Sequence, residues 1–280
     1  MEPVTGTLYV VATPIGNLDD LSHRAANALG SADVVVAEDT RRTQKLLVHL
    51  GLSSKPLRRL DANAAERDVV AVADLLAEGR TVALCTDAGT PGVSDPGAAL
   101  VTEARARAIR VVPIPGPSAV TTALSASGYT FGAFRFVGFL PRTGMERTRA
   151  IADAAACTDA VVLFESPQRL AATLLELAEA MPGRRATVAR ELTKLHEEIV
   201  EAAIEDVAQR FNEGEVLGEL TVVLAPWSGP NVSVTDAEVE RRIDEALATG
   251  MRPRDVAERV ALETGRKKRD IYDLLVKRKR

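Results

Sequence analysis

The chain of 280 residues has few aromatic residues, only two cysteines and no long uninterrupted apolar run. No run approaches the roughly 18 to 20 apolar residues of a membrane-spanning helix, and no basic segment precedes an apolar one at the N-terminus. Cys85 and Cys157 each lie in an apolar segment, which is typical of a reducing compartment rather than of a disulfide framework. We therefore expect a cytoplasmic protein without membrane association.

Several signatures of ligand chemistry are also absent. No Gly-x-Gly-x-x-Gly follows the first predicted strand and no Gly-x-x-x-x-Gly-Lys-Ser/Thr loop occurs, so neither a dinucleotide site nor a P-loop is indicated. His23, His49 and His196 are scattered, and no spacing typical of metal ligands occurs. No serine lies in a Gly-x-Ser-x-Gly elbow. The sequence predicts no metal cofactor.

Charge is distributed unevenly along the chain. The formal net charge is −4, but the last fifteen residues, Arg266 to Arg280, contain eight Lys and Arg against two Asp. The remaining residues therefore carry 27 basic against 37 acidic side chains. A basic tail on an acidic protein is either a solvated terminus or a contact surface for a polyanion such as nucleic acid.

Short β-branched runs alternate with stretches of helical period, which is typical of α/β proteins with a mostly parallel sheet. One helix is predicted from the spacing of Val69, Val72, Ala73 and Leu76, and another over 167–180. Eight strands are predicted, over 8–12, 34–37, 81–85, 110–114, 134–140, 160–164, 186–190 and 220–225.

The predicted strands form two groups of four. We therefore predict two α/β domains, 1–122 and 123–228, with a cleft between them as the natural ligand site. After a linker, Thr235 and Glu238 form a capping-box pattern. They begin a third predicted domain, 233–280, which is small, basic and helical and has the spacing of a helix-turn-helix unit.

Four motifs follow predicted strands, at the edge where open α/β sheets bind ligands. Turn formation alone could explain the first motif, at 13–18. A helix cap with local salt bridges could explain the second motif, at 38–43. The third contains three glycines and two prolines, which fix an open backbone that a ligand can approach closely. The motifs are 13–18 (TPIGNL), 38–43 (EDTRRT), 87–97 (DAGTPGVSDPG) and 115–119 (PGPSA).

Two glutamates end strands of the second group. Glu165 precedes Ser166 and Pro167, and Glu191 follows Arg190. Each is either a carboxylate of the cleft or an ordinary cap or surface acid, and the residues alone leave both readings open.

Five motifs together resemble those of the tetrapyrrole-methylase superfamily, and more narrowly its ribosomal RNA branch, the small-subunit rRNA (cytidine-2'-O-)-methyltransferases. Each motif alone is weak, whereas the combination is specific. The resemblance implies two α/β domains, usually in a homodimer, that bind S-adenosylmethionine folded into the cleft. The motifs lie at 11–18, 38–41, 87–97, 115–119 and 164–167.

The resemblance also implies which residues bind the cofactor. The loop around Gly89 would line it from one side, and loops of the second domain would contact it from the other. The implied residues are Pro14, Gly89, Thr90, Pro91, Gly92, Val93, Ser118, Ala119, Glu165, Leu192 and Ala225.

The implied acceptor, a ribose 2'-hydroxyl, is a poor nucleophile, so a carboxylate within hydrogen-bond reach would help to remove its proton. The candidates are Asp39 and Glu191. Lysine and arginine would hold RNA phosphates. These expected RNA contacts are Arg41, Arg42, Lys194, Arg266, Lys267, Lys268 and Arg269. The leading hypothesis is S-adenosylmethionine-dependent 2'-O-methylation of a cytidine in 16S rRNA of the small ribosomal subunit.

Two alternatives stay open. A precorrin-type tetrapyrrole methyltransferase would share the cofactor site but would need an apolar pocket for a macrocycle. The arginine pair at 41–42 and the basic tail argue against it. A non-catalytic ribosome-binding factor would bind small subunits without transferring a methyl group.

Overall fold

The computed structural model describes residues 6–61, 64–94, 97–214, 216–227, 229, 236–248, 250–264 and 268–277. The chain divides into two compact units, 1–229 and 230–280. In the described ranges, no helix is both long enough and apolar enough to cross a lipid bilayer.

The first half of the larger unit contains a sheet of five parallel strands. The strands are β1 (Thr7–Val11), β2 (Val34–Ala37), β3 (Leu57–Arg59), β4 (Val82–Cys85) and β5 (Arg110–Ile114). Their order across the sheet is β3-β2-β4-β1-β5. Four helices accompany them: α1 (His23–Ser31), α2 (Thr40–His49), α3 (Glu66–Ala77) and α4 (Ala98–Ala106).

Both faces of this sheet are covered, which explains why its central strands are apolar throughout. Val34 and Val36 pack with residues of α3 and α4 on one face. Val35 and Ala37 pack with α1 and α2 on the other face. Because successive side chains of a strand point to opposite faces, all four positions of β2 are buried.

The second half contains a mixed sheet. Its strands are β6 (Phe134–Phe139), β7 (Ala160–Glu165), β8 (Arg185–Arg190), β9 (Glu198–Ala203) and β10 (Leu220–Leu224). Their order is β6-β7-β10-β8-β9, with β6 parallel to β7 and every other pair antiparallel. The accompanying helices are α5 (Ala119–Ala126), α6 (Gly144–Ala156), α7 (Pro167–Ala180) and α8 (Ile204–Asn212).

All eight predicted strands are confirmed, as is the helix over 167–180. The four predicted core positions of α3 are buried. The sequence missed β3 and β9, which lie at the sheet edges. β3 has only three residues, two of them exposed arginines, so no apolar run marks it. The predicted limit at 122 falls within α5, which packs on the second sheet, and the domain limits stay predictions.

The smaller unit contains three helices among its described residues: α9 (Asp236–Ala248), α10 (Pro253–Thr264) and α11 (Lys268–Lys277). They share an apolar core that includes Val239, Ile243, Val256, Ile271 and Leu275. The predicted capping box needs residue 235 and the side chain of residue 238, which lie outside the described part of the chain.

Candidate active site

A cavity of about 390 Å³ lies between the two halves of the larger unit. It is lined mainly by apolar and small side chains, with a few hydroxyl and carboxylate groups among them. The first half contributes Ile15, Ala88, Gly89, Thr90, Val93, Ser94, Ser118 and Ala119. The second half contributes Phe139, Phe164, Glu165, Ser166, Pro167, Ala189, Leu192, Gly218, Glu219, Leu220 and Thr221.

Strand direction decides which residues reach this cavity. In the parallel first sheet, the carboxyl ends of β1, β4 and β5 supply the lining loops. In the second sheet, Glu165 at the carboxyl end of β7 pairs with Leu220 at the start of β10, because these strands are antiparallel. The amino end of β10 therefore lines the cavity.

Three loops of the first half are joined by hydrogen bonds beside the cavity. Thr13 and Gly89 exchange backbone hydrogen bonds of 2.8 and 3.1 Å. Gly89 has a φ of +85°, a conformation that favours glycine. The Thr90 hydroxyl donates to the carbonyl oxygen of Pro117 at 3.2 Å. These bonds fix the loop that begins at Asp87 against the start of α5.

Glu165 is a buried carboxylate, with only 2% of its surface exposed. Its Oε1 accepts a hydrogen bond from the Ser166 backbone N–H at 2.7 Å, and its Oε2 accepts one from the Thr173 hydroxyl at 2.7 Å. Arg147 Nη2 donates to the same hydroxyl oxygen at 2.9 Å and forms an ion pair with Glu176. Glu165 is therefore a carboxylate of the cleft, because it lines the cavity. It also accepts the backbone N–H of Ser166, the residue that precedes α7, as a helix cap would.

The loop after β8 is held by a carboxylate and an ammonium group. Lys194 Nζ lies 2.8 Å from Glu191 Oε1 and 3.0 Å from Glu219 Oε2. Glu191 Oε1 also accepts the Glu219 backbone N–H at 2.9 Å. Lys194 and this N–H together lower the pKa of Glu191. Glu191 itself does not line the cavity, although Leu192 and Glu219 do.

Asp39 lies at the start of α2, where its carboxylate accepts the Arg41 backbone N–H at 2.9 Å. The same carboxylate forms an ion pair of 2.7 Å with the exposed guanidinium of Arg41. Hydrogen bonds from Arg41 lower the pKa of Asp39 well below its usual range. Arg42 pairs with Asp87 at 3.5 Å. The cap and salt bridges considered for this motif are therefore present.

Glu38, next to Asp39, has the opposite electrostatic environment. Burial and the neighbouring charge of Asp87 raise the pKa of Glu38. The Thr86 hydroxyl donates to its Oε2 at 3.3 Å. In the described ranges, no group of three or more His, Cys, Asp and Glu side chains is arranged to hold a metal ion.

The sequence matches the family described as Tetrapyrrole (Corrin/Porphyrin) Methylases over residues 7–208. The chain belongs to this family. The family recognised from the sequence motifs is thus confirmed, and so is the prediction that the protein is a methyltransferase enzyme.

Two relatives of this methylase are similar over nearly the whole chain, and both are named ribosomal RNA small subunit methyltransferase I. The protein of Halalkalibacterium halodurans is 38% identical over 96% of this chain and 94% of its own length. The protein of Mycobacterium bovis is 40% identical over 99% of this chain and 96% of its own length.

Solved structures of other methylases have the same fold. The methyltransferase CobJ has a TM-score of 0.61 and 20% identity, covering 79% of this chain and 95% of its own. A uroporphyrin-III C-methyltransferase of Thermus thermophilus, complexed with S-adenyl homocysteine, has a TM-score of 0.56 and 19% identity. It covers 79% of this chain and 97% of its own. The predicted fold class is confirmed.

Seven of the eleven cofactor residues that the motifs implied line the methylase cavity. Pro14 instead lines a separate cavity of about 130 Å³. Pro91 is buried and Gly92 is exposed, and neither residue lines the main cavity. The seven are Gly89, Thr90, Val93, Ser118, Ala119, Glu165 and Leu192.

Ala225 is not brought to the cavity. It follows the carboxyl end of β10, five residues from Leu220, which is about 17 Å along a strand. Its carbonyl oxygen accepts a hydrogen bond of 2.7 Å from the buried guanidinium of Arg184. Leu220, at the other end of β10, lines the cavity instead, because β10 runs antiparallel to β7.

The expected RNA contacts occupy different environments. Arg41 is exposed at α2, whereas Lys194 is engaged by two carboxylates. In α11, Arg269 is exposed and Lys268 pairs with Glu258 at 2.5 Å. The predicted contacts at residues 266 and 267 lie outside the described residues.

Sequence reasoning missed part of the lining, namely Phe139 and the segment 218–221. Gly218 and Glu219 precede β10, whereas all four predicted ligand motifs follow strands. A signal that could have indicated Phe139 is the clustering of aromatic residues in β6, because Phe134, Phe136 and Phe139 are half of all six phenylalanines in the chain.

Proposed function

We propose that this methylase transfers a methyl group from S-adenosylmethionine to the 2'-hydroxyl of a cytidine in 16S rRNA of the small ribosomal subunit. One observation carries the choice of substrate. The two relatives named ribosomal RNA small subunit methyltransferase I are 38% and 40% identical over nearly the whole length of both chains. The solved methyltransferase structures are only 19% and 20% identical, so they support the fold and not a tetrapyrrole substrate.

The residues of the cavity fit the cofactor. Its volume of about 390 Å³ is in the range of small-molecule sites, which are mostly apolar with a few polar groups. The open turn at Gly89 lets a ligand approach the backbone, because a side chain there would extend toward Ile15 and Pro117. The residues that would hold the cofactor are Gly89, Thr90, Val93, Ser118, Ala119 and Leu192.

The cofactor, when bound, supplies an electrophilic methyl group on a sulfonium. The chain itself orients the acceptor hydroxyl and excludes water through the apolar walls formed by Ile15, Val93 and Leu192. Glu165 is held at the wall by Ser166 and Thr173, so its carboxylate is fixed before any ligand binds. Because the Glu165 carboxylate is already oriented, it does not have to move during the reaction, and no free energy is spent on reorienting it.

The acceptor hydroxyl loses a proton when its oxygen takes the methyl group, and a nearby carboxylate would assist this loss. Asp39 and Glu191 are the proposed acceptors of that proton. Both are in ion pairs that lower their pKa values, which makes each a weaker base than an unpaired carboxylate. Transfer by positioning alone, with the proton released to water, is the alternative for the same reaction.

RNA phosphates are proposed to contact Arg41 and Arg42 beside α2, together with the basic tail that includes Arg269. We further propose that the protein works in the cytoplasm as a homodimer. The homodimer is what the resemblance to the family implies.

The test is transfer of labelled methyl from S-adenosylmethionine to small subunits from cells that lack this protein, followed by digestion to nucleosides. We expect the label in 2'-O-methylcytidine. Gly89→Val should abolish methyl transfer. The matched control is Gly51→Val, which places the same side chain at a left-handed position with no atom within 4 Å and should retain transfer. Cofactor binding without any label in RNA would contradict the proposal, and label in a precorrin would support the tetrapyrrole alternative.

A further inference from the structure

We propose that the ring of Phe139 is the platform on which the base of the acceptor nucleotide stacks at the mouth of the cavity. This inference rests on the proposed function, because it assigns a positioning residue to an RNA substrate. Phe139 lines the cavity, yet 56% of its surface is exposed.

A β-bulge turns Phe139 toward the cavity. Phe136 pairs with Val162 and Phe139 pairs with Phe164, with a register shift between Phe136 and Gly138. In a regular strand, residues three apart point to opposite faces. The extra residue of the bulge places Phe139 on the face that carries Phe136 and Phe164, and bulges next to active sites commonly re-aim a side chain in this way.

Glycine is required where the strand bends. Gly138 has a φ of +66°, which is the left-handed region that favours glycine. A Cβ atom there would also lie 3.3 Å from Ser94 Oγ, which belongs to the first half and lines the same cavity. The bend therefore brings the end of β6 against the loop of the first half.

Aromatic contacts fix one side of the Phe139 ring. Its centroid lies 5.7 Å from that of Phe164, with 60° between the ring planes. Phe164 is also contacted by Phe136, at 5.0 Å and 66°. The two inner rings are partly buried, whereas Phe139 is exposed at the rim. A rigid aromatic ring with open surface beside a ligand cavity is suited to stacking on a flat ligand.

The backbone after Phe139 is anchored to the cavity wall. Arg169 Nη2 donates to the carbonyl oxygens of Leu140 and Pro141 at 2.8 and 3.2 Å. Arg147 Nη1 donates to the Pro141 oxygen at 3.1 Å, and its Nη2 donates to the Thr173 hydroxyl that bonds Glu165. The backbone beside the ring is thus anchored by Arg147 and Arg169, and the same two arginines contact Thr173 and Glu165.

An RNA base fits this ring better than the adenine of the cofactor. A ligand enclosed in the cavity would leave the outer part of the ring uncovered, whereas the acceptor arrives from solvent. Arg142, exposed three residues beyond Phe139, adds a positive charge suited to a phosphate. Single-stranded RNA is commonly recognised by stacking its bases on aromatic side chains.

The experiment measures KM for small subunits, kcat, and the Kd of S-adenosylmethionine by calorimetry. Phe139→Ala and Phe139→Leu should each raise KM about tenfold to hundredfold, the range that loss of one stacked base predicts. Phe139→Tyr should stay near wild type, and the Kd of S-adenosylmethionine should change less than about twofold in all three. Phe139→Leu separates stacking from packing, because leucine keeps apolar volume without a ring.

Phe134→Ala is the matched control, since Phe134 is an exposed phenylalanine of the same strand that does not line the cavity. It should leave KM unchanged. A Kd for S-adenosylmethionine that rises with KM would overturn the inference and assign the ring to the cofactor adenine. Wild-type KM in Phe139→Leu would overturn the platform alone, whereas a wild-type protein inactive on small subunits would overturn the proposed function as well.

Discussion

Gly16 packs so closely against Lys194 that a Cβ atom on the glycine would lie 2.4 Å from Lys194 Cγ. The two residues belong to opposite halves of the larger unit, after β1 and after β8. The same Cβ atom would lie 2.8 Å from Thr193 Oγ1, and the Asn17 backbone N–H donates to that oxygen at 3.1 Å. A glycine is needed here for close approach of the two loops.

Gly16→Ala should therefore loosen the contact between the halves. Because part of the clash is with the backbone oxygen of Leu192, at 2.9 Å, moving the Lys194 side chain cannot relieve it fully. Overpacking of this kind costs about 1 to 3 kcal/mol. We expect a lower urea midpoint and weaker binding of S-adenosylmethionine, measured by calorimetry. Gly132→Ala, where no atom lies within 4 Å, should change neither quantity.

Thr173 connects two charged groups in the core, so its hydroxyl is expected to matter more than its methyl group. Thr173→Val leaves Glu165 Oε2 without the 2.7 Å hydrogen bond and removes one acceptor of Arg147, which still donates to Glu176 and Pro141. A buried polar group that loses its partner costs about 1 to 3 kcal/mol, and more when charged. Thr173→Ser keeps the hydroxyl and should lose less stability in urea unfolding. Equal losses in the two variants would contradict this role.

Much of the fold could be predicted because its central strands are apolar runs. β2 and β4 are covered on both faces, and this burial requires every position to be apolar. Edge strands carry no such requirement. In β9, exposed and partly buried positions alternate, and its glutamates pair with Arg185, Arg190 and Arg210. Its sequence therefore resembles a polar surface segment.

The site was less predictable, because it depends on strand direction and on contacts between distant loops. The motif around Gly89 could be recognised, since its glycines and prolines mark an unusual loop. The direction of β10 could not, because an apolar strand has the same composition in either direction. The resemblance implied Ala225 as a cofactor residue, whereas Leu220, at the other end of β10, lines the cavity. The bulge that turns Phe139 likewise leaves no pattern beyond a single glycine.

The ion pair of Glu191 predicts a pH-dependent stability. Lys194 and the Glu219 N–H lower its folded-state pKa, so the stabilisation is fully present above the unfolded-state pKa of about 4.3. It is lost as the pH falls through the lower folded-state pKa. The difference in unfolding free energy between wild type and Glu191→Gln should therefore be constant near neutral pH and shrink in acid.

Urea titrations at a series of pH values test this difference. Glu213→Gln alters an exposed glutamate at the end of α8 and serves as the control. A Glu191→Gln difference that persisted unchanged in strong acid would contradict the ion-pair account. Methyl transfer by the same variant also tests Glu191 as a proton acceptor, since glutamine keeps the hydrogen bonds but cannot take up the proton.

Asp39 can be tested in the same way, because its cap needs only an acceptor oxygen, whereas its proposed chemistry needs a carboxylate that can take up a proton. Both Asp39→Ala and Asp39→Asn should bind S-adenosylmethionine with wild-type affinity, since Asp39 does not line the cavity. Asp39→Ala removes the acceptor of the Arg41 N–H and should reduce turnover and stability. Asparagine keeps a capping oxygen, so full turnover by Asp39→Asn would remove Asp39 from the proposed proton acceptors.

The basic end of the chain predicts a salt-dependent contribution to RNA binding. Truncation would be a poor test, because Ile271 and Leu275 of α11 belong to the apolar core of the smaller unit. Replacing Arg266, Lys267 and Arg269 by glutamine removes three positive charges and leaves Ile271 and Leu275 unchanged. Each phosphate contact adds about −0.7 to the salt slope for single strands, so the slope should become shallower by about 2.

The matched control neutralises three exposed arginines of the first half, Arg24, Arg67 and Arg105. Both triple variants lose the same net charge, so a general electrostatic effect would flatten the slope equally in the two. Binding to small subunits is measured between low and moderate salt, with S-adenosylmethionine affinity as a check on folding. Equal slopes would show that the tail is a solvated terminus, whereas a loss confined to the tail variant would place phosphate contacts there.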